Sequence, residues 1–137
     1  MADKIPVMKV GPLLIVSIQT ELIDTTINEL QQAILAKISA SNSEAVVIDI
    51  SSQELVDSYV ANVLVDTAKM VSLMGSKMVL VGMQAAVTLT LVEMGMTLPD
   101  IPTAIDLEEG LAKIGYHIAR LTEDEADESD EADAETE

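Results

Sequence analysis

Ser58 is the residue whose side chain is best placed for a covalent modification. It follows Asp57 at the predicted start of a helix, where a hydroxyl is normally exposed and where the helix dipole favours negative charge. A phosphate on Ser58 would add roughly −1.5 to −2 units of charge to a small surface. Because aspartate and serine are also ordinary helix-capping residues, the pair by itself is more typical of a cap than of a phosphorylation site.

The other candidates for chemistry are isolated in the sequence. His117 is the single histidine and has no serine–aspartate pair near it, and the absence of cysteine excludes thiol nucleophiles and thiolate metal sites. Asp49, near the end of a predicted strand, has no second carboxylate at a spacing suited to a metal. The segment that begins at Gly82 lacks the further glycines and the lysine of a phosphate-binding loop. We therefore expect no catalytic residue, no metal and no cofactor.

Acidic residues dominate the charge of the chain and are concentrated near its end. The formal net charge of the 137 residues is −17, and ten of the 24 acidic residues follow Thr122, where no basic residue is found. This segment has too few apolar residues to fold, so we predict a domain over residues 1–121 and a disordered acidic tail over residues 122–137. The domain itself is also acidic and repels phosphate backbones, so nucleic acid is not an expected partner.

The distribution of apolar residues indicates a globular domain that does not enter a membrane. Hydrophobic residues make up 49% of the chain, and the core must be aliphatic because the only aromatic residues are Tyr59 and Tyr116. No apolar run approaches the roughly 20 residues that are needed to span a bilayer. The first residues, which include Asp3 and Lys4, do not predict a signal peptide. We expect a cytoplasmic location and no membrane partner.

Apolar spacing predicts the elements that would position Ser58. Strands are indicated at residues 7–10, 13–18, 45–50, 78–81 and 103–105, and the first two form a hairpin around Gly11-Pro12. Helices are indicated after a capping box at residues 26–29, from Asp57-Ser58 to Gly75, over residues 84–94 and over residues 106–115. The predicted fold class is α/β, with a mixed, mostly parallel sheet of about five strands and about four helices packed against it.

Two long runs of the sequence resemble STAS domains. They cover residues 46–60, which include Asp57 and Ser58, and residues 79–98. The opening segments 5–11 and 14–20 fit the same family, so the similarity extends from about Lys4 to Gly115. Within the family, the chain is most similar to the small single-domain subunits of the bacterial stressosome. The resemblance implies a STAS-like fold, and it implies that Ser58 is the phosphoacceptor, since the family's serine follows an aspartate at the start of the second helix.

The resemblance also implies a function and a set of partners. A chain of this kind is a non-enzymatic scaffold that sequesters a serine kinase, called the switch kinase, in a large hetero-oligomer with sensor-bearing STAS paralogues. Phosphorylation of Ser58 would release the kinase, and a phosphatase would act on the phosphoserine. We expect the partner-binding surface to comprise Asp57, Ser58, Tyr59 and Asn62, because a tyrosine beside an exposed helix start combines apolar area with a hydroxyl.

Two other functions remain open at the level of the sequence. An anti-anti-sigma factor would have the same fold and the same serine switch, but would bind an anti-sigma kinase directly. A small-molecule or nucleotide-binding enzyme domain would need a pocket with convergent polar groups, and the sequence indicates none. If Tyr59 packs into the local core, partner binding would instead occur on the far side of the sheet.

Overall fold

A computed structural model describes residues 5–95, 103–113 and 115 of the chain. The strands in this part are β1 (Val7–Val10), β2 (Leu13–Ser17), β3 (Ala45–Asp49), β4 (Lys77–Val81) and β5 (Thr103–Ala104). The helices are α1 (Asp24–Ser41), α2 (Ser58–Leu73), α3 (Ala85–Glu93) and α4 (Leu107–Lys113). None of these helices is both long enough and apolar enough to cross a membrane. The predicted tail over residues 122–137 lies outside the described residues, as do Tyr116 and His117.

The strands form one mixed sheet in the order β1-β2-β3-β4-β5, which confirms the predicted fold class. β1 pairs with β2 antiparallel across the Gly11-Pro12 turn, and the other neighbours are parallel. Each parallel strand follows its neighbour through one helix, so the carboxyl ends of β2, β3 and β4 meet at one edge of the sheet. The loops that leave this edge are residues 18–23, 50–57 and 82–84.

The two faces of the sheet are covered unequally. The face covered by α1, α2 and α3 has the larger core, in which side chains such as Val16, Ile48 and Leu80 are fully buried. α4 covers the other face, where Leu111 packs in a smaller cluster with Val47 and its neighbours. Aliphatic side chains fill both layers, as the composition predicts. Burial of each of the larger ones contributes about 1.5–3 kcal/mol.

The predicted capping box at the start of α1 is misplaced by three residues. α1 begins at Asp24 with Ile23 as its N-cap, and Thr26 lies in the first turn, where its hydroxyl accepts a hydrogen bond from the Ile23 N–H at 2.9 Å. Glu29 is consequently too far along the helix to cap it. The other predicted elements are present, with ends that differ by one or two residues, which is the usual uncertainty of a helix or strand boundary.

Candidate functional site

Ser58 is the first residue of α2, and its side chain is exposed. Asp57 is the N-cap residue, since its Oδ1 accepts a hydrogen bond from the Val60 N–H at 2.8 Å. The Asp57 carbonyl accepts the first helical hydrogen bond from the Ala61 N–H at 3.0 Å. The cap satisfies a backbone donor that the helix itself leaves unpaired. The helix therefore starts where the sequence predicts, and the Ser58 hydroxyl is presented at the surface.

Tyr59 and Asn62 follow Ser58 on the same exposed start of α2. The Tyr59 side chain is 44% exposed, and its hydroxyl donates a hydrogen bond to Asn28 Oδ1 of α1 at 3.0 Å. The ring therefore links α1 to α2 at the surface and is not part of the core. The structure thus brings Asp57, Ser58, Tyr59 and Asn62 together on one exposed segment. The structure also places Asn28 of α1 beside this segment through its hydrogen bond with Tyr59. That contact depends on the packing of the two helices and leaves no signal in the sequence.

The loop that precedes Ser58, residues 50–57, is held against the loop that follows β4. The Ser51 N–H donates to Asp49 Oδ1 at 2.9 Å, and the Ser51 carbonyl accepts a hydrogen bond from Gln84 Nε2 at 2.9 Å. A Cβ atom on Gly82 would lie 2.7 Å from the Ser51 Cβ, and the φ of Gly82 is +76°, so this close approach requires glycine. The carboxylate of Asp49 thus has a local structural partner. No group of three or more potential metal ligands occurs among the described residues.

The same loop is held on its other side by two side chains, those of Gln53 and Ser52, which no motif in the sequence indicates. The Gln53 amide hydrogen-bonds with the backbone of Thr20 and Leu22, and the Ser52 hydroxyl donates to the carbonyl of Ile18. All three backbone partners belong to the loop that joins β2 to α1. The pairing is between segments more than 30 residues apart, so no local pattern could have indicated it.

The surface around Ser58 is acidic and contains exposed apolar side chains. Residues 18–24 and 50–58 include no lysine or arginine, and they contain four exposed acidic residues, Glu21, Asp24, Glu54 and Asp57. Ile23 is 51% exposed and Leu55 is 64% exposed in the same two loops. A cleft of about 380 Å³ lies between residues 19–21 and 52–55. A phosphate on Ser58 would therefore increase an existing negative potential at this edge of the sheet.

Together these features define a class of small α/β domain. It has a mixed sheet with one antiparallel edge strand, and its second helix begins with an exposed serine behind an aspartate cap. The family model of the STAS domain matches residues 4–109 of the chain. The chain belongs to the STAS domain family, which confirms the resemblance inferred from the sequence.

Solved structures give the same result. RsbS S58E from Moorella thermoacetica is 34% identical to this chain, with a TM-score of 0.74 over 82% of this chain and 95% of that one. A structure described as the molecular architecture of the stressosome, a signal integration and transduction hub, is 32% identical, with a TM-score of 0.66 over 89% and 100% of the two chains. The unphosphorylated anti-sigma factor antagonist SpoIIAA is 12% identical, with a TM-score of 0.64 over 80% and 95%, and this likeness shows the fold alone. No match was found among curated proteins.

Proposed function

We propose that this chain is a non-enzymatic scaffold of a stressosome-like assembly, in which it holds a serine kinase and releases it when Ser58 is phosphorylated. The observation that carries the proposal is the exposed Ser58 hydroxyl at the capped start of α2, in a chain 34% identical to RsbS. That RsbS is a variant in which glutamate replaces a serine with the same number as Ser58 here. Glutamate supplies a negative charge, as a phosphate does.

The proposed partners follow from this assignment. They are the switch serine kinase, STAS paralogues that carry sensor domains in a large hetero-oligomer, and a phosphatase that acts on the phosphoserine. The proposed contact surface is the start of α2, where Asp57, Ser58, Tyr59 and Asn62 are all exposed. The proposed location is the cytoplasm, because the kinase needs ATP to phosphorylate the serine.

Charge at Ser58 provides a physical cause for release. A phosphate of about −2 that lies roughly 5 Å from one acidic partner group raises the energy of the complex by about 2–7 kcal/mol, depending on how well water screens the pair. Each ~1.4 kcal/mol weakens binding about tenfold. Residues 18–24 and 50–58 contain no lysine or arginine, so these two segments do not neutralise the added charge.

The test is mass spectrometry of the chain after incubation with its co-encoded kinase and ATP, which should find phosphate on Ser58. Ser58→Ala should fold and bind the kinase in a pull-down, but ATP should no longer release the kinase. Ser58→Asp should weaken kinase binding only partly, because aspartate supplies one charge and two oxygens in place of about two charges and three oxygens.

Ser72 provides the matched control, since it is exposed at the opposite end of the same helix. Ser72→Ala and Ser72→Asp should bind and release the kinase as the wild type does. Phosphate found only at positions other than Ser58 would contradict the proposal. Release of the kinase from the Ser58→Ala variant after addition of ATP would also contradict the proposal.

The contact surface is tested separately by Tyr59→Ala and Asn62→Ala. Both side chains are exposed, so the variants should fold, which circular dichroism would verify. Each should bind the kinase or the STAS paralogues more weakly. Wild-type affinity of both folded variants for both partners would place the interface elsewhere.

A second candidate function is an anti-anti-sigma factor that binds an anti-sigma kinase directly. The chain shares its fold with the anti-sigma factor antagonist SpoIIAA, so the fold is compatible with this function as well. Gel filtration with a sensor-bearing STAS paralogue separates the two functions. The stressosome-like scaffold should elute in large particles, whereas an anti-anti-sigma factor should remain a monomer or a small complex.

A further inference from the structure

Gln53 is a buried amide in the loop that leads to Ser58. Its side chain is 2% exposed, its Oε1 accepts a hydrogen bond from the Leu22 N–H at 3.0 Å, and its Nε2 donates to the Thr20 carbonyl at 2.8 Å and to Ser52 Oγ at 3.0 Å. Both ends of the amide are therefore engaged. Since a buried amide without partners is costly, these hydrogen bonds strongly favour one arrangement of the two loops.

Each of the two loops that Gln53 joins carries one exposed, large apolar side chain, Ile23 in the first and Leu55 in the second. Ile23 adjoins Leu22, whose N–H is bound by Gln53, and Leu55 lies two residues after Gln53 and three before Ser58. Ile23 and Leu55 are more than half exposed, so each presents apolar area that a partner could bury. The joined loops therefore set how these side chains lie relative to Ser58.

We propose that Gln53 is a positioning residue of the Ser58 site. By holding residues 18–23 against residues 50–57, Gln53 fixes one apolar contact for the kinase in each loop. These contacts are Ile23 in the first loop and Leu55 in the second. The assignment of the kinase as the partner rests on the proposed function. Because Ile23 and Leu55 are more than half exposed, we expect the kinase segment that binds the joined loops to present apolar side chains to them.

Gln53→Leu removes all the hydrogen bonds of the amide at similar side-chain size, and leaves the Leu22 N–H without its acceptor. Gln53→Glu keeps an acceptor for that N–H but replaces the donor that faces the Thr20 carbonyl by a buried carboxylate oxygen, so its effect should be at least as large as that of Gln53→Leu. Thr67→Val is the matched control, because Thr67 is 2% exposed, donates to the Val63 carbonyl and accepts a hydrogen bond from Gln31. It lies nine residues along α2 from Ser58, roughly 13 Å away.

Steady-state phosphorylation of Ser58 separates a positioning role from a merely structural one. Gln53→Leu should raise the KM of the kinase for this chain about tenfold and leave kcat within about twofold, because the loss is one of recognition. Thr67→Val should lower the thermal midpoint about as much as Gln53→Leu does. It should nevertheless leave both KM and kcat within about twofold of the wild-type values. Equal changes of KM in the two variants would overturn the proposal.

Hydrogen–deuterium exchange tests the positioning without the kinase. Gln53→Leu should accelerate exchange in residues 18–23 and 51–57, whereas Thr67→Val should accelerate it within α2. Unchanged exchange of both loops in Gln53→Leu would overturn the role of Gln53. If the wild-type chain gains no phosphate on Ser58, the proposed function is wrong, and the exchange measurement alone decides whether Gln53 positions the site.

Discussion

Replacement of Asp57 by alanine should destabilise the domain through the loss of a single hydrogen bond. The Asp57 carboxylate accepts the Val60 N–H at 2.8 Å, and alanine at an N-cap position costs about 1 kcal/mol, in a range of about 0.5–2. A folded unit of roughly 100 residues has an unfolding entropy of about 0.2 kcal/mol/K. The thermal midpoint should therefore fall by about 5 °C.

Two further variants separate the hydrogen bond from the charge. Asp57→Asn keeps an acceptor of equal capping strength and loses only the charge near the helix N-terminus, so it should cost about 0.5 kcal/mol, or about 2 °C. Asp66→Asn removes the same charge from an exposed position inside α2 and should shift the midpoint by less than about 1 °C.

The assay is thermal unfolding followed by circular dichroism at one protein concentration and one salt concentration. Equal shifts for Asp57→Ala and Asp57→Asn would show that charge, and not the cap bond, stabilises the helix start. A shift below about 1 °C for Asp57→Ala would refute the capping argument altogether. Slower phosphorylation of Ser58 in Asp57→Ala than in Asp57→Asn would further show that the cap presents the serine.

Three other changes test the packing and the tail. Gly110→Ala should cost about 1–3 kcal/mol in a denaturant titration, because the new Cβ would lie 2.7 Å from Val81 Cγ1; a cost below about 0.5 kcal/mol, as for an exposed substitution, would contradict this. Leu80→Ala in the core should cost about 2–5 kcal/mol, against less than about 0.5 for the exposed Leu73→Ala, and similar costs would refute the burial argument. Deletion of residues 123–137 should leave the thermal midpoint within about 2 °C, and a larger loss would show that this acidic segment contacts the domain.

The amino-acid sequence determined the strand and helix order because each element depends on local patterns. The apolar run over residues 45–50 predicts a buried strand, and β3 is buried at all but its last residue. The predicted start of α2 at Asp57-Ser58 is also correct, because a capping side chain and the N–H that it binds are only three residues apart. The predicted start of α1 is wrong because the local pattern is ambiguous there. A threonine such as Thr26 can cap a helix either as its N-cap or from within the first turn.

The tertiary structure alone decided what surrounds Ser58. Tyr59 and Asn28 are 31 residues apart in the chain, and so are Gln53 and Leu22, yet both pairs are hydrogen-bonded. Such contacts exist only once parallel strands bring the loops at their carboxyl ends, and the helices that follow those loops, to one edge of the sheet. The position of Ser58 at the start of α2 can be predicted from its neighbours in the sequence. The arrangement of the loops near Ser58 depends on packing between distant segments. Such packing leaves no periodic signal in the sequence of either segment.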